Sequence, residues 1–94
     1  MSEARVHMRI SGKVQGVAFR YNTKDEADSL GVVGWVRNVQ DGTVEIVAEG
    51  EKSALEKFVG WAKQGPPVAR VSNLDADWQE PTGEFDRFFV ARTA

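Results

Sequence analysis

Val32-Val33-Gly34-Trp35-Val36-Arg37-Asn38-Val39-Gln40-Asp41-Gly42-Thr43-Val44-Glu45-Ile46-Val47-Ala48-Glu49 decides the fold, because it reads as two strands folded about one tight turn. Residues 32–39 and 43–49 are the strands, and Asp41-Gly42 marks the turn between them. Burial chooses the register. A two-residue loop would pair Val39 with Val44 and set Val36 on the opposite face from Val44, Ile46 and Ala48. A three-residue loop, Gln40-Asp41-Gly42 with Gly42 left-handed in a bulge, pairs Val39 with Thr43 and gathers Val36, Val44, Ile46 and Ala48 on one face. The second register is the one a core requires, and it places Asn38 on the core-side face at the very end of its strand.

Towards the N-terminus, residues 4–11 alternate, with Val6, Met8 and Ile10 on one side and Arg5, His7, Arg9 and Ser11 on the other, which predicts a strand with one wet face. Residues 12–18 hold two glycines and no helical period. Phe19, Thr23, Ala27 and Leu30 then share one helical face, and Gly31 is placed to end that helix in the left-handed conformation. Towards the C-terminus, Ser53-Ala54-Leu55-Glu56 predicts a capping box for a second helix whose stripe is Leu55, Phe58, Val59 and Ala62. Gly65-Pro66-Pro67 stops it. Residues 68–78 predict a fourth strand with Val71, Leu74, Ala76 and Trp78 inward, and the change of parity among them predicts a bulge near Asn73. Residues 80–84 read as loop and 88–92 as a short final strand.

The element order is therefore βαββαβ with a short C-terminal strand, the α+β arrangement called ferredoxin-like: two helices on one face of an antiparallel sheet. Strands 1 and 2 are joined by a helical crossover and run parallel, with strand 3 expected between them. Their C-terminal ends lie at the same sheet edge as the start of helix 1. Asn38 and the loop before Phe19 consequently belong to one site.

Ninety-four residues suit a single domain spanning 1–94, and 41% hydrophobic content is enough for one core without staples. With Cys at 0 and His at 1, thiol chemistry, iron–sulfur clusters and thiolate or histidine metal cages have no ligands. Lys+Arg 12 against Asp+Glu 14 leaves a net charge of -2, so no global basic field draws the chain onto nucleic acid or anionic lipid. The charged start Met1-Ser2-Glu3-Ala4-Arg5 is unlike a secretory signal, and no run is long enough to span a membrane, so the cytoplasm is the expected compartment.

Gly12-Lys13-Val14-Gln15-Gly16-Val17-Ala18-Phe19-Arg20 is a strand-to-helix loop whose free N–H groups and positive dipole end suit an anion. Val17 and Ala18 are small enough to let the anion reach the backbone, and Arg20 adds a planar fork. It is not a Walker loop, which would need Gly where His7 stands and Ser or Thr where Val14 stands. The alternative is structural, with glycines that only turn the chain and Arg20 on a wet helix face.

Taken together, the two segments resemble the acylphosphatase family. Gly12 to Arg20 is similar to its G-x-V-Q-G-V-x-F-R signature, and Gly34-Trp35-Val36-Arg37-Asn38 with Asp41-Gly42-Thr43-Val44 is similar to its G-W-V-x-N and D-G-T-V hairpin. Gly65-Pro66-Pro67 and Ala69-Arg70-Val71 extend the likeness over nearly the whole chain. The resemblance implies hydrolysis of an acyl phosphate to a carboxylate and inorganic phosphate, without metal or cofactor. It implies Arg20 and Asn38 as the catalytic pair, and the backbone N–H groups of Gln15, Gly16, Val17, Ala18 and Phe19 around the phosphate. Many animal members carry Thr after the asparagine; this chain has Val39, so no hydroxyl is implied there. A small-molecule substrate and a monomer are expected. The runner-up is a non-catalytic module that keeps the loop as an anion sensor, and a third reading has the Arg5, His7 and Arg9 stripe bind RNA, although the aromatic RNA-binding motif of related sheets is missing. Asp75 and Asp77 share a face but offer too few ligands for Mg²⁺. His7 and the tryptophans Trp35, Trp61 and Trp78 read as sheet-face, packing or interface residues.

Overall fold

The computed structural model describes residues 2–94, as β1 (Glu3–Lys13), α1 (Phe19–Leu30), β2 (Val33–Asn38), β3 (Val44–Glu51), α2 (Lys52–Gln64), β4 (Arg70–Gln79) and β5 (Phe88–Val90). Met1, part of the charged opening segment, lies outside the described residues. The strands form one sheet in the order β4-β1-β3-β2-β5. β3 is antiparallel to both β1 and β2, so those two run parallel and finish at the same end of the sheet. This is the ferredoxin-like arrangement expected. β5 pairs parallel with β2, Gly34 opposite Phe88 and Val36 opposite Val90, which makes the sheet mixed at that edge.

The hairpin adopts the register that burial demanded. Asn38 lies opposite Val44 and Val36 opposite Ile46. The Val39 N–H donates to Thr43 O at 2.9 Å and the Gly42 N–H to Val39 O at 3.0 Å, closing a three-residue loop. Gly42 stands at φ 97, where a side chain would be strained. As a result Val36, Val44, Ile46 and Ala48 are fully buried together with Val6, Met8 and Ile10 of β1. Phe19, Thr23 and Ala27 of α1 and Leu55, Phe58, Val59 and Ala62 of α2 close the other side. Each large apolar side chain so buried contributes roughly 1.5–3 kcal/mol against the entropy of ordering. Thr23, the polar member, satisfies its hydroxyl on Phe19 O at 2.7 Å.

Two local expectations are corrected. The capping box at Ser53 does not form: β3 runs directly into α2, whose N-cap is Glu51 with no side-chain cap, and Ser53 falls inside the first turn. The Lys52 N–H is taken instead by Ser2 O at 2.9 Å. Ala76 and Trp78 face the core side, opposite Met8 and Val6, yet both are exposed, Trp78 by 42%. The cause is position, because β4 is an edge strand and only Val71 and Leu74 pack against the core beneath the helices. The bulge does form, with Ser72 the extra residue between pairs Ser11–Asn73 and Gly12–Val71.

The outer sheet face is also drier than alternation suggested. Val47, Glu45 and Glu49 of β3 are all buried there. β4 and β5 occupy opposite edges, so residues 80–87 must cross the sheet, and Thr82 and Gly83 land on Glu49. The segment acts as a strap over the second face.

Candidate active site

β1 ends at Lys13 and α1 begins at Phe19, so residues 14–18 connect them at the end of the sheet where β2 finishes at Asn38. Val14 anchors this loop in the core. Gly16 at φ 73 and Ala18 at φ 60 are left-handed, with Val17 between them at an ordinary φ. That alternation turns successive N–H groups to one side, a concave nest that suits an anion. The N–H groups of Gln15, Gly16, Val17, Ala18 and Phe19 have no backbone acceptor among the described residues.

The start of α1 is left open as well. Ala18 is its N-cap, supplies no side-chain cap, and no acidic residue stands in the first turn. Elsewhere a Ser, Thr, Asp or Asn satisfies those first N–H groups, and a carboxylate tempers the dipole. A left-handed alanine costs on the order of 1 kcal/mol. It is held there by its carbonyl, which accepts from the Asn22 N–H at 3.1 Å and from Asn22 Nδ2 at 2.9 Å.

Arg20 is half-buried in the first turn of α1, its guanidinium 5.6 Å from the centre of the Tyr21 ring. It makes no ion pair among the described residues, whereas Arg5, Arg9 and Arg37 each have carboxylate partners. Asn38 closes β2, and its amide oxygen Oδ1 is buried without a hydrogen-bond partner among the described residues. A buried acceptor left so costs about 1–3 kcal/mol, and the remedy is a donor from outside the chain. Its backbone is fastened by the segment after β5: Ala94 N–H donates to Asn38 O at 2.9 Å, and Gln40 N–H to Ala94 O at 2.9 Å.

The loop and the hairpin meet through one side chain. Gln15 Nε2 donates to Val39 O at 2.8 Å and to Thr43 O at 2.9 Å. Sequence reasoning assigned only the backbone of Gln15 and did not find this clamp or the segment at 91–94 beside β2. Neither has a periodic or compositional signal. The open helix start did have one: alanine stands at position 18, where a capping residue is the rule.

The stripe of Arg5, His7 and Arg9 faces acidic partners rather than solvent alone. Arg5 meets Glu49 at 2.7 Å, His7 meets Glu45 at 2.6 Å, and Arg9 meets Asp41 at 3.3 Å. Burial pushes the Glu49 carboxyl up, but hydrogen bonds from the Thr82 N–H, Arg5, the Gly83 N–H and the Thr82 hydroxyl overcome it and hold it at about 2. Glu45 is likewise held below the usual range, its burial outweighed by His7 and Arg37. Asp75 and Asp77 line a shallow cleft of about 290 Å³ with His7 and Arg9. No group of three or more His, Cys, Asp or Glu among the described residues is placed to hold a metal ion. Trp61 packs between Phe19 at 5.8 Å and Phe58 at 6.5 Å, and Trp35 lies under Arg37 at 4.5 Å.

The acylphosphatase family model matches residues 6–90. The chain is 57% identical over 91 residues to an acylphosphatase of Pelotomaculum thermopropionicum, covering 97% of this chain and 99% of that protein. It is 54% identical over 83 residues to one of Thermococcus kodakarensis, covering 88% and 91%. Among solved structures, the acylphosphatase from Bacillus subtilis superposes with a TM-score of 0.90 at 38% identity, over 94% of this chain and 98% of that one. No helix among the described residues is long and apolar enough to cross a membrane.

Proposed function

The chain belongs to the acylphosphatase family, and from that premise we propose that Arg20 and Asn38 are its catalytic side chains. It hydrolyses acyl phosphates to a carboxylate and inorganic phosphate. The N–H groups of Gln15, Gly16, Val17, Ala18 and Phe19, with the guanidinium fork of Arg20, surround the phosphoryl oxygens. Phosphoryl transfer passes through a loose transition state and needs chiefly alignment and charge stabilisation, which such donors supply. The observation that carries the reading is the buried Asn38 Oδ1, unpartnered among the described residues, at the same sheet end as a helix start with no side-chain cap.

In this scheme Asn38 Oδ1 accepts a hydrogen bond from the attacking water and aims its oxygen lone pair at phosphorus. The new P–O bond forms as the P–O bond to the acyl group breaks. The departing carboxylate has a conjugate acid with a pKa of about 4 and leaves without a general acid. The water's proton passes to a phosphoryl oxygen. Arg20 supplies the positive charge, so the scheme calls on neither metal nor cofactor. An anion sensor would need the nest and Arg20 but has no use for an open acceptor, and the relatives named above favour the enzyme.

We further place the protein in the cytoplasm as a monomer, a single domain over residues 1–94 with no nucleic-acid partner. The net charge of -2 and the commitment of Arg5, His7 and Arg9 to carboxylates speak against nucleic acid, and the family match over residues 6–90 supports one domain. The direct test is hydrolysis of benzoyl phosphate above its spontaneous rate, with and without EDTA. Equal turnover in both is expected; loss in EDTA restored by Mg²⁺ or Zn²⁺ would refute the metal-free scheme.

A further inference from the structure

Gln15 does more than lend its backbone. Val39 O and Thr43 O each spend one lone pair on the turn itself, accepting from the Gly42 N–H at 3.0 Å and the Val39 N–H at 2.9 Å. The second lone pair of each is used by one atom, Gln15 Nε2, at 2.8 and 2.9 Å. A carboxamide nitrogen has two hydrogens, and both are spent here. The two carbonyls stand side by side only because the loop has three residues and Val39 faces Thr43 across it. One of them belongs to the residue that follows Asn38.

We infer that Gln15 is a positioning residue that sets the phosphate loop against Asn38, so that the bound phosphoryl group and the water-holding amide stay in line. The inference rests on the roles proposed above for the loop and Asn38. Removing the Gln15 amide leaves the hairpin's own hydrogen bonds intact and the loop N–H groups in place. Binding should therefore survive, and alignment should not. A displacement of about 1 Å at a site of this kind costs up to about a hundredfold in rate.

Gln15→Met keeps the length and removes the donor, and Gln15→Glu sets carboxylate oxygens against two carbonyls. For Gln15→Met, kcat on benzoyl phosphate should fall about tenfold or more while phosphate affinity stays within about threefold. For Gln15→Glu, kcat relative to the parent protein should rise as the pH falls below about 5, because the protonated acid regains one donor. Circular dichroism at each pH separates that recovery from any refolding of the variant. Placed on Asn38→Ala, Gln15→Met should change kcat by less than about twofold, since a clamp acting through Asn38 has nothing left to align. Parent kcat in Gln15→Met, proportional losses of kcat and phosphate affinity, or the same tenfold loss on Asn38→Ala would each overturn the inference. If Asn38→Ala itself hydrolyses at the parent rate, the roles proposed for the site fail first, and the inference with them.

Discussion

The roles proposed for Arg20 and Asn38 divide binding from alignment, so their substitutions should separate in kinetics. In the proposed scheme the Arg20 guanidinium touches the phosphoryl group before and during reaction. Arg20→Ala is therefore expected to weaken phosphate binding and lower kcat together, and Arg20→Lys should not restore either, because a point charge cannot reproduce the fork. In that scheme the Asn38 amide matters chiefly once water attacks. Asn38→Ala should lower kcat by on the order of 10² with phosphate affinity within a few fold. Stability supplies a second signature. Oδ1 is a buried acceptor with no partner among the described residues, so deleting it should leave the melting temperature unchanged or higher. A folded Asn38→Ala protein that melts well below the parent would mark Asn38 as a structural residue instead. Ala18 carries a cost of a different kind, backbone strain at φ 60. Ala18→Gly should stabilise by up to about 1 kcal/mol in urea denaturation without raising kcat/KM, since the nest already has the required shape.

At the scale of elements, what the sequence disclosed depended on whether burial or coverage was the deciding force. The β2–β3 hairpin was legible because only one register buries Val36, Val44, Ile46 and Ala48 together, and Asn38 followed from it. The inward pattern of β4 was legible too, but periodicity cannot report that an edge strand outruns the helices above Trp78. The Ser53 box failed because local chemistry lost to continuity of β3 with α2. The strap at residues 80–87, whose anchor is Glu49, was hidden, because 80–84 read only as loop and nothing local reports which face a loop crosses. That anchor yields a pH prediction. The Glu49 carboxyl titrates at about 2 in the folded chain against an ordinary 4.5. Its stabilisation is complete above about pH 4.5 and is lost as the pH falls towards 2, a change on the order of 3 kcal/mol. Glu49→Gln should lower the urea midpoint at pH 7 and flatten its decline between pH 4.5 and 2. A variant that declines as steeply as the parent over that interval would show that other carboxylates, Glu45 among them, govern the acid limb.

For the whole molecule, the two sheet faces carry separate duties. One holds the apolar core and, at its end, the loop before α1 and Asn38; the other is closed by Arg5–Glu49, His7–Glu45 and the strap. The Arg9–Asp41 pair sits on the turn that Gln15 clamps, so salt acting on the ion pairs must be told from anions acting on the nest by a chloride control. Whatever binds only the native state stabilises it by RT ln(1 + [L]/Kd), about 1.4 kcal/mol at ten times Kd. In a domain of this size that corresponds to a rise in melting temperature of roughly 6 to 10 °C. Inorganic phosphate and sulfate should both produce it and should compete with benzoyl phosphate in turnover. Sodium chloride at equal ionic strength should not, because it screens the exposed Arg9–Asp41 pair and the exposed Glu84 without fitting the N–H groups before α1. Arg20→Ala should lose most of the phosphate-induced rise and Asn38→Ala should keep it, which separates a seated anion from a general salt effect. An equal rise with chloride, or a rise that Arg20→Ala retains in full, would mean that the anion sits elsewhere than in the loop from Gln15 to Phe19.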